Sequence, residues 1–215
     1  MRLSFLVAFL LLPQFILAQF NSFKPGSYVL AGNPQIQHKG LLKLKDAKLL
    51  VVRHDQGETT KLTPKDVSSF QIGTKRYLKA SGFEENKAFT EDAADEVFVE
   101  LLDSGQVLLM RYEYAVNSAP RMGANGAMAG GGKAIYETYL LKWSNGSAVS
   151  AVPAGNMTGG GRKFREMILP YLSSRPDLVK LVEDKQAILL DLKRLIHALN
   201  TGKPYVPEPV YNIRD

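Results

Sequence analysis

Short apolar segments at 27–30, 40–45, 48–53, 58–62, 68–72 and 76–80, joined from the second onward by no more than five residues, constrain this chain more than any other feature. Connections that brief join antiparallel neighbours, because a parallel crossover needs a dozen residues or more. Asp46-Ala47, Asp55-Gln56-Gly57 and Gly73-Thr74 supply the tight turns of an antiparallel meander, and Pro25-Gly26 precedes its first strand. Thr63-Pro64-Lys65-Asp66 sets a capping hydroxyl before a proline, as at the start of a helical turn. A hairpin then joins 96–102 to 106–114 through Asp103-Ser104-Gly105. In its second strand Leu108, Met110, Tyr112 and Tyr114 face one way, and Val107, Leu109, Arg111 and Glu113 the other. Arg and Glu on one face predict a sheet covered mainly on its opposite face, with the two tyrosines as core or edge packing.

Residues 117–133 are dominated by Gly and Ala and predict a mobile loop, since glycine that dense has a high ordering entropy. Strand pattern resumes at 134–143, with Ile135, Tyr139, Leu141 and Trp143 on one face. A second glycine-rich run at 153–161 reads as a linker to a helical end at 162–202. There 162–169 forms a short helix stopped before Pro170, and Ser174-Arg175-Pro176-Asp177 caps the next. Leu178, Leu181, Ile188, Leu192, Leu195 and Leu199 recur at helical spacing up to a C-cap signal at Gly202. Either one helix of about 24 residues runs throughout, or 183–186 breaks it in two; both bury the same stripe against the sheet. The tail, 203–215, carries three prolines and reads as extended. The fold class expected is α+β: an antiparallel sheet, as a partial barrel or sandwich, over 19–152, followed by C-terminal helices.

Residues 1–18 predict a cleaved signal peptide. Arg2 precedes an apolar run from Leu3 to Leu12, broken by Pro13, with Ala18 at the exit before Gln19. The run is too short to span a bilayer, which takes about 20 apolar residues. No transmembrane span is then expected after cleavage. The chain has no cysteine, which excludes disulfides, thiolate metal sites and cysteine nucleophiles. An exported chain without disulfides suits a bacterial periplasm or cell exterior. The formal charge of +6 includes Lys39, Lys43, Lys45, Lys48 and Arg53, interspersed with apolar residues as on the solvated face of strands. Nucleic acid is not an expected partner, since no recognition motif accompanies that charge.

The three histidines, His38, His54 and His197, have no metal-ligand spacing. No Gly-x-Ser-x-Gly elbow occurs, and the glycines before Lys133 fail a phosphate loop at Ala127 and Ala134. Acidic residues at 84–85 and 91–96 lack calcium-loop spacing and read as a solvated connector. An outer-membrane barrel is not expected from strands this short and lysine-rich. No cofactor and no metal are expected. The weak catalytic candidates are His54, Asp55 and Glu58, which lie near one turn.

The order of these features is similar to that of uncharacterised signal-peptide-bearing exported proteins of Bacteroidota-type bacteria. The resemblance rests on TPKDVSSFQIGTKRYLK, EVFVELLDSGQVLLMRYEY, YETYLLKW and FREMILPYLSSRPDLVKLVEDKQAILLDLKRLIHALN. It covers most of 27–200 and implies the compartment and the strand-then-helix layout, with no catalytic residue or ligand. The function expected first is a non-catalytic envelope binding protein whose partner is an unknown envelope protein or glycan. A metal-independent hydrolase with a site near His54 is the alternative, and anionic polysaccharide binding through 39–53 is a second. Oligomeric state is not legible.

Overall fold

The computed structural model describes residues 23–83, 95–117, 121–122, 128–129, 132–153 and 161–207. Residues 1–18, where a signal peptide is expected, most of the 84–96 acidic run, most of the 153–161 linker and the last part of the tail lie outside the described residues. Ten strands form one antiparallel sheet, which does not close, and helices follow it. This is the α+β layout read from the sequence.

The strands in chain order are β1 (Lys24–Leu30), β2 (Gln37–Asp46), β3 (Leu49–Arg53), β4 (Thr59–Leu62), β5 (Val67–Ile72), β6 (Lys75–Ala80), β7 (Val97–Asp103) and β8 (Val107–Asn117). After β8 come the two-residue strands β9 (Arg121–Met122) and β10 (Met128–Ala129), then β11 (Lys133–Trp143) and β12 (Ser150–Ala151). Their order across the sheet is β12-β11-β8-β7-β6-β5-β1-β2-β3-β4, so β1 is inserted between β5 and β2. The described residues within 117–133 are not wholly loop, because β9 pairs with β10.

Chain length forces this sheet to curl. From Leu62 to Val67 the chain passes from the β4 edge to β5, four strand positions away. On a flat sheet that is about 19 Å, whereas five residue steps reach about 17 Å fully extended. Much of that reach is folded into a turn, where Asp66 and Val67 donate N–H bonds to the Thr63 carbonyl at 2.9 and 3.2 Å. The β1–β4 half therefore rolls over. Tyr28, Leu42, Leu50, Val52, Val67 and Phe70 fill the roll together with Phe98 of β7. Lys39 stays exposed on the other face of β2, and Arg53 sits 3.9 Å above the Phe23 ring.

The helical end consists of α1 (Arg162–Leu172), α2 (Pro176–Glu183), a 3-10 turn (Leu189–Asp191) and α3 (Leu192–Thr201). Of the two readings of the apolar stripe, the broken one is found. Helix α1 runs through Pro170 rather than stopping before it. The proline removes one backbone donor, but one more turn buries Tyr171 and Leu172, which are 6% and 0% exposed. Phe164, Ile168, Leu172, Leu178, Leu195 and Ile196 pack on Val107, Leu109 and Leu141 of the sheet. The Arg111 face of β8 is therefore also covered, over its helix-proximal half. Among the described residues no helix is long and apolar enough to cross a membrane.

Two polar clamps hold the helices in place. Arg175, before α2, forms a bidentate pair with Asp177 at 2.8 and 2.7 Å and donates to the carbonyls of Ala198 and Lys203. Asn200 of α3 donates to the Val107 carbonyl at 2.8 Å and accepts the Val107 N–H at 3.0 Å, as a neighbouring strand would. The same amide donates to Asp103, whose other oxygen meets His197 Nδ1 at 2.8 Å. Gly105 is required beneath this clamp, because a Cβ there would stand 2.7 Å from Asn200. Gly202, at φ 68°, ends α3 in the left-handed conformation.

Candidate functional site

Strands β7 and β8 pair from Asp103/Leu109 to Glu100/Arg111. Beyond that point the β2–β3 turn enters, and the Ala47 carbonyl accepts the Phe98 N–H. The β8–β11 ladder continues outward to Asn117 and Lys133. The result is a fork in the sheet, with a cleft of about 380 Å3 between the β2–β3 turn and the outer ends of β8 and β11.

Tyr112 and Tyr114 give the cleft an aromatic wall, and Tyr136 continues their stack outside the cleft lining. Tyr112 is buried, Tyr114 is half-buried, and Tyr136 of β11 is 50% exposed. Their rings stack in series, with centroids 5.4 and 5.7 Å apart and planes 20° and 22° from parallel. The ladder thus runs from the core to solvent. Cross-strand register makes it, because Tyr114 stands opposite Tyr136. Val116, 42% exposed, extends the apolar surface on the tyrosine face, and Ile135, 73% exposed, lines the cleft from the opposite face of the ladder. Lys45, Asp46, Lys48, Glu113 and Lys133 surround it with both signs of charge.

A smaller recess of about 140 Å3 continues the cleft to the point where the strands part. Its floor is an ion-pair network. Arg111 lies 2.6 Å from Glu100, 3.1 Å from Glu113 and 3.2 Å from Glu137, and Lys75 adds a contact to Glu100 at 3.3 Å. Burial alone would push the Glu100 carboxyl up, but the hydrogen bond and charge of Arg111, with Lys75, outweigh it and leave the pKa lowered. Burial likewise works against the Arg111 charge, and its three carboxylates raise the pKa on balance. Burial beside Glu100 and Glu113 pushes the Tyr77 phenol up to about 12. The network fixes the strand fork rather than offering a titrating acid or base near neutral pH.

The residues singled out near one turn lie elsewhere. His54 follows β3, and its Nε2 meets the Thr60 hydroxyl at 3.0 Å, while Asp55 and Glu58 are exposed. Among the described residues the ring meets a hydroxyl there but no carboxylate. His38 stacks on Tyr28, with centroids 5.1 Å apart. Among the described residues no three His, Asp or Glu side chains are grouped as a metal site requires. The basic residues of 39–53 divide between two surfaces: Lys39, Lys43 and Arg53 belong to the outer side of the roll, and Lys45 and Lys48 line the cleft. Tyr136 and Ile135 were missed as site residues, because the strand pattern that marks them gives no sign that the β8–β11 ladder runs on past the end of the β7–β8 pairing. Neither the family models, nor the curated proteins, nor the solved structures compared with this chain give a match.

Proposed function

We propose that this chain is an exported protein of a bacterial envelope that binds a segment of envelope glycan in the cleft between the β2–β3 turn and the β8–β11 ladder. The observation that carries the reading is the stacked series Tyr112–Tyr114–Tyr136, in which Tyr112 and Tyr114 line the cleft and the series ends in the half-exposed ring of Tyr136 on the same face of the β8–β11 ladder. An apolar ring face suits the C–H face of a pyranose, and the mixed charges of Lys45, Lys133, Asp46 and Glu113 suit hydroxyl and acidic substituents around it. Size favours a glycan over a protein. A stable protein interface takes about 800 Å2 from each partner, whereas the exposed large apolar side chains here are Val116, Ile135 and Tyr136. The signal-peptide pattern of residues 1–18 supports the compartment.

The test is co-sedimentation with purified sacculi and with outer-membrane polysaccharide, comparing the wild-type protein with Ile135→Ser/Tyr136→Ala. Both side chains are exposed, so the double variant is expected to keep its melting temperature. Binding is expected to fall about tenfold or more, the equivalent of about 1.4 kcal/mol. Equal binding by the variant, or capture of a protein with no glycan retained, overturns the reading.

A further inference from the structure

A second concave surface lies at the other end of β8. Val107, held by Asn200, and Val116, at the fork, are nine residues apart on that strand, about 30 Å at the rise of an extended chain. The groove there has a volume of about 820 Å3 and is framed by α3, Asp103 and the segment after Gly202. Its apolar wall is made by Ala198, Pro204, Val206 and Pro207. Lys193, Arg194 and Lys203 bring cations to a lining in which, among the described residues, Asp103 is the one acid, and Arg194 itself pairs with Asp191 at 3.1 Å.

His197 stands in this groove with its ring oriented. Nδ1 lies 2.8 Å from Asp103 Oδ2, and Asp103 Oδ1 accepts a bond of 2.9 Å from Asn200. An ionised carboxylate only accepts, so Nδ1 carries the proton of the neutral ring and Nε2 carries the lone pair. The side chain is 60% exposed, which leaves that lone pair open to water and to a ligand. A base held by a carboxylate that is itself held by an amide is the arrangement that general-base catalysis needs. Among the three histidines, His197 is the one that combines a carboxylate contact with a concave surface.

We propose that this groove is a hydrolytic site for a carboxylic ester bearing an anionic group, with His197 as general base and Asp103 and Asn200 as positioning residues. Nε2 takes a proton from water as the water oxygen bonds to the acyl carbon. The tetrahedral oxyanion is offset by the ammonium groups of the groove. Collapse breaks the bond to the alcohol oxygen, which receives the proton back from Nε2. The products are a carboxylic acid and an alcohol, and no cofactor is consumed. Apolar Ala198, Pro204 and Val206 suit the acyl chain, and Lys193 and Lys203 suit the anionic part.

The purified, untagged protein is to be assayed with 4-nitrophenyl butyrate and with its ring-carboxylated analogue. Faster turnover of the carboxylated ester is expected. A loss of about 100-fold or more is expected in His197→Gln, the lower bound for a removed general base, with no loss in His54→Gln. Equal effects of the two substitutions, or no hydrolysis above the rate with free imidazole, overturn the proposal. Because His197 also holds α3, the wild-type protein supplies an independent reading by long-range 15N–1H spectroscopy. A proton on His197 Nδ1 and a bare Nε2 are expected, and the opposite tautomer overturns the proposal.

Discussion

At the scale of single residues, two positions bear the most weight. Arg111 is 19% exposed and balances Glu100, which is 11% exposed, so replacing it leaves a largely buried carboxylate without its main partner. Arg111→Met is expected to lower stability by about 3 kcal/mol, the lower bound for breaking a buried pair, as read by urea unfolding. The pH dependence follows from the direction of the shift. The Glu100 pKa is lowered in the fold, so its contribution is complete above the ordinary carboxylate range and is lost as pH falls through the lowered value. Asp66, lowered by the Thr63 hydroxyl and N–H, adds to the same acid limb. In Arg111→Met the opposing effect of burial is left on Glu100, so the acid limb is expected to move to higher pH, measured as melting temperature from pH 7 to pH 3. At Gly105, an added Cβ meets Asn200 at 2.7 Å. Gly105→Ala is therefore expected to destabilise by about 1–3 kcal/mol, whereas an alanine at exposed Gly32, with nothing within 4 Å, is expected to leave the unfolding midpoint in place.

At the scale of elements, the strands were legible and their arrangement was not. Residues 40–45, 68–72 and 76–80 read as strands because short apolar runs bounded by turn residues are a local signal. They lie within β2, β5 and β6 with boundaries off by three residues or fewer. The insertion of β1 between β5 and β2, and the wedge of Ala47 against Phe98, depend on contacts remote in sequence that no local pattern encodes. The same holds for the candidate sites. Tyr112 and Tyr114 were visible as one face of a strand, but their continuation to Tyr136 needs the β8–β11 register. His197 was visible on its helix, while Asp103 is 94 residues away in the chain. Pro170 misled because propensity marks a helix end, and burial of Tyr171 and Leu172 overrides it. The apolar stripe of α3 was read correctly as covered by the sheet. Leu195→Ala, at a fully buried position on it, is expected to cost about 2–5 kcal/mol, read by the same urea titration.

At the scale of the molecule, the helices and the sheet share one core, since Val107, Leu109 and Leu141 are buried under α1, α2 and α3. Trp143, the one tryptophan, stacks on Tyr171 of α1 with centroids 5.0 Å apart. Its fluorescence therefore reports helix docking. Far-ultraviolet dichroism and Trp143 fluorescence are expected to give coincident unfolding curves; two separated transitions would mean that the helical end is an independent unit. The shared core buries one end of β8, while the other reaches past the fork and presents the tyrosine ladder. The most direct measurement is hydrogen exchange of the wild-type protein with and without bound envelope polysaccharide. Protection is expected to rise at 45–48, 112–116 and 133–136, the two sides of the cleft. Protection confined to Lys39 and Lys43 of β2 and Arg53 of β3, or no change at the fork while glycan is bound, would contradict binding in the cleft.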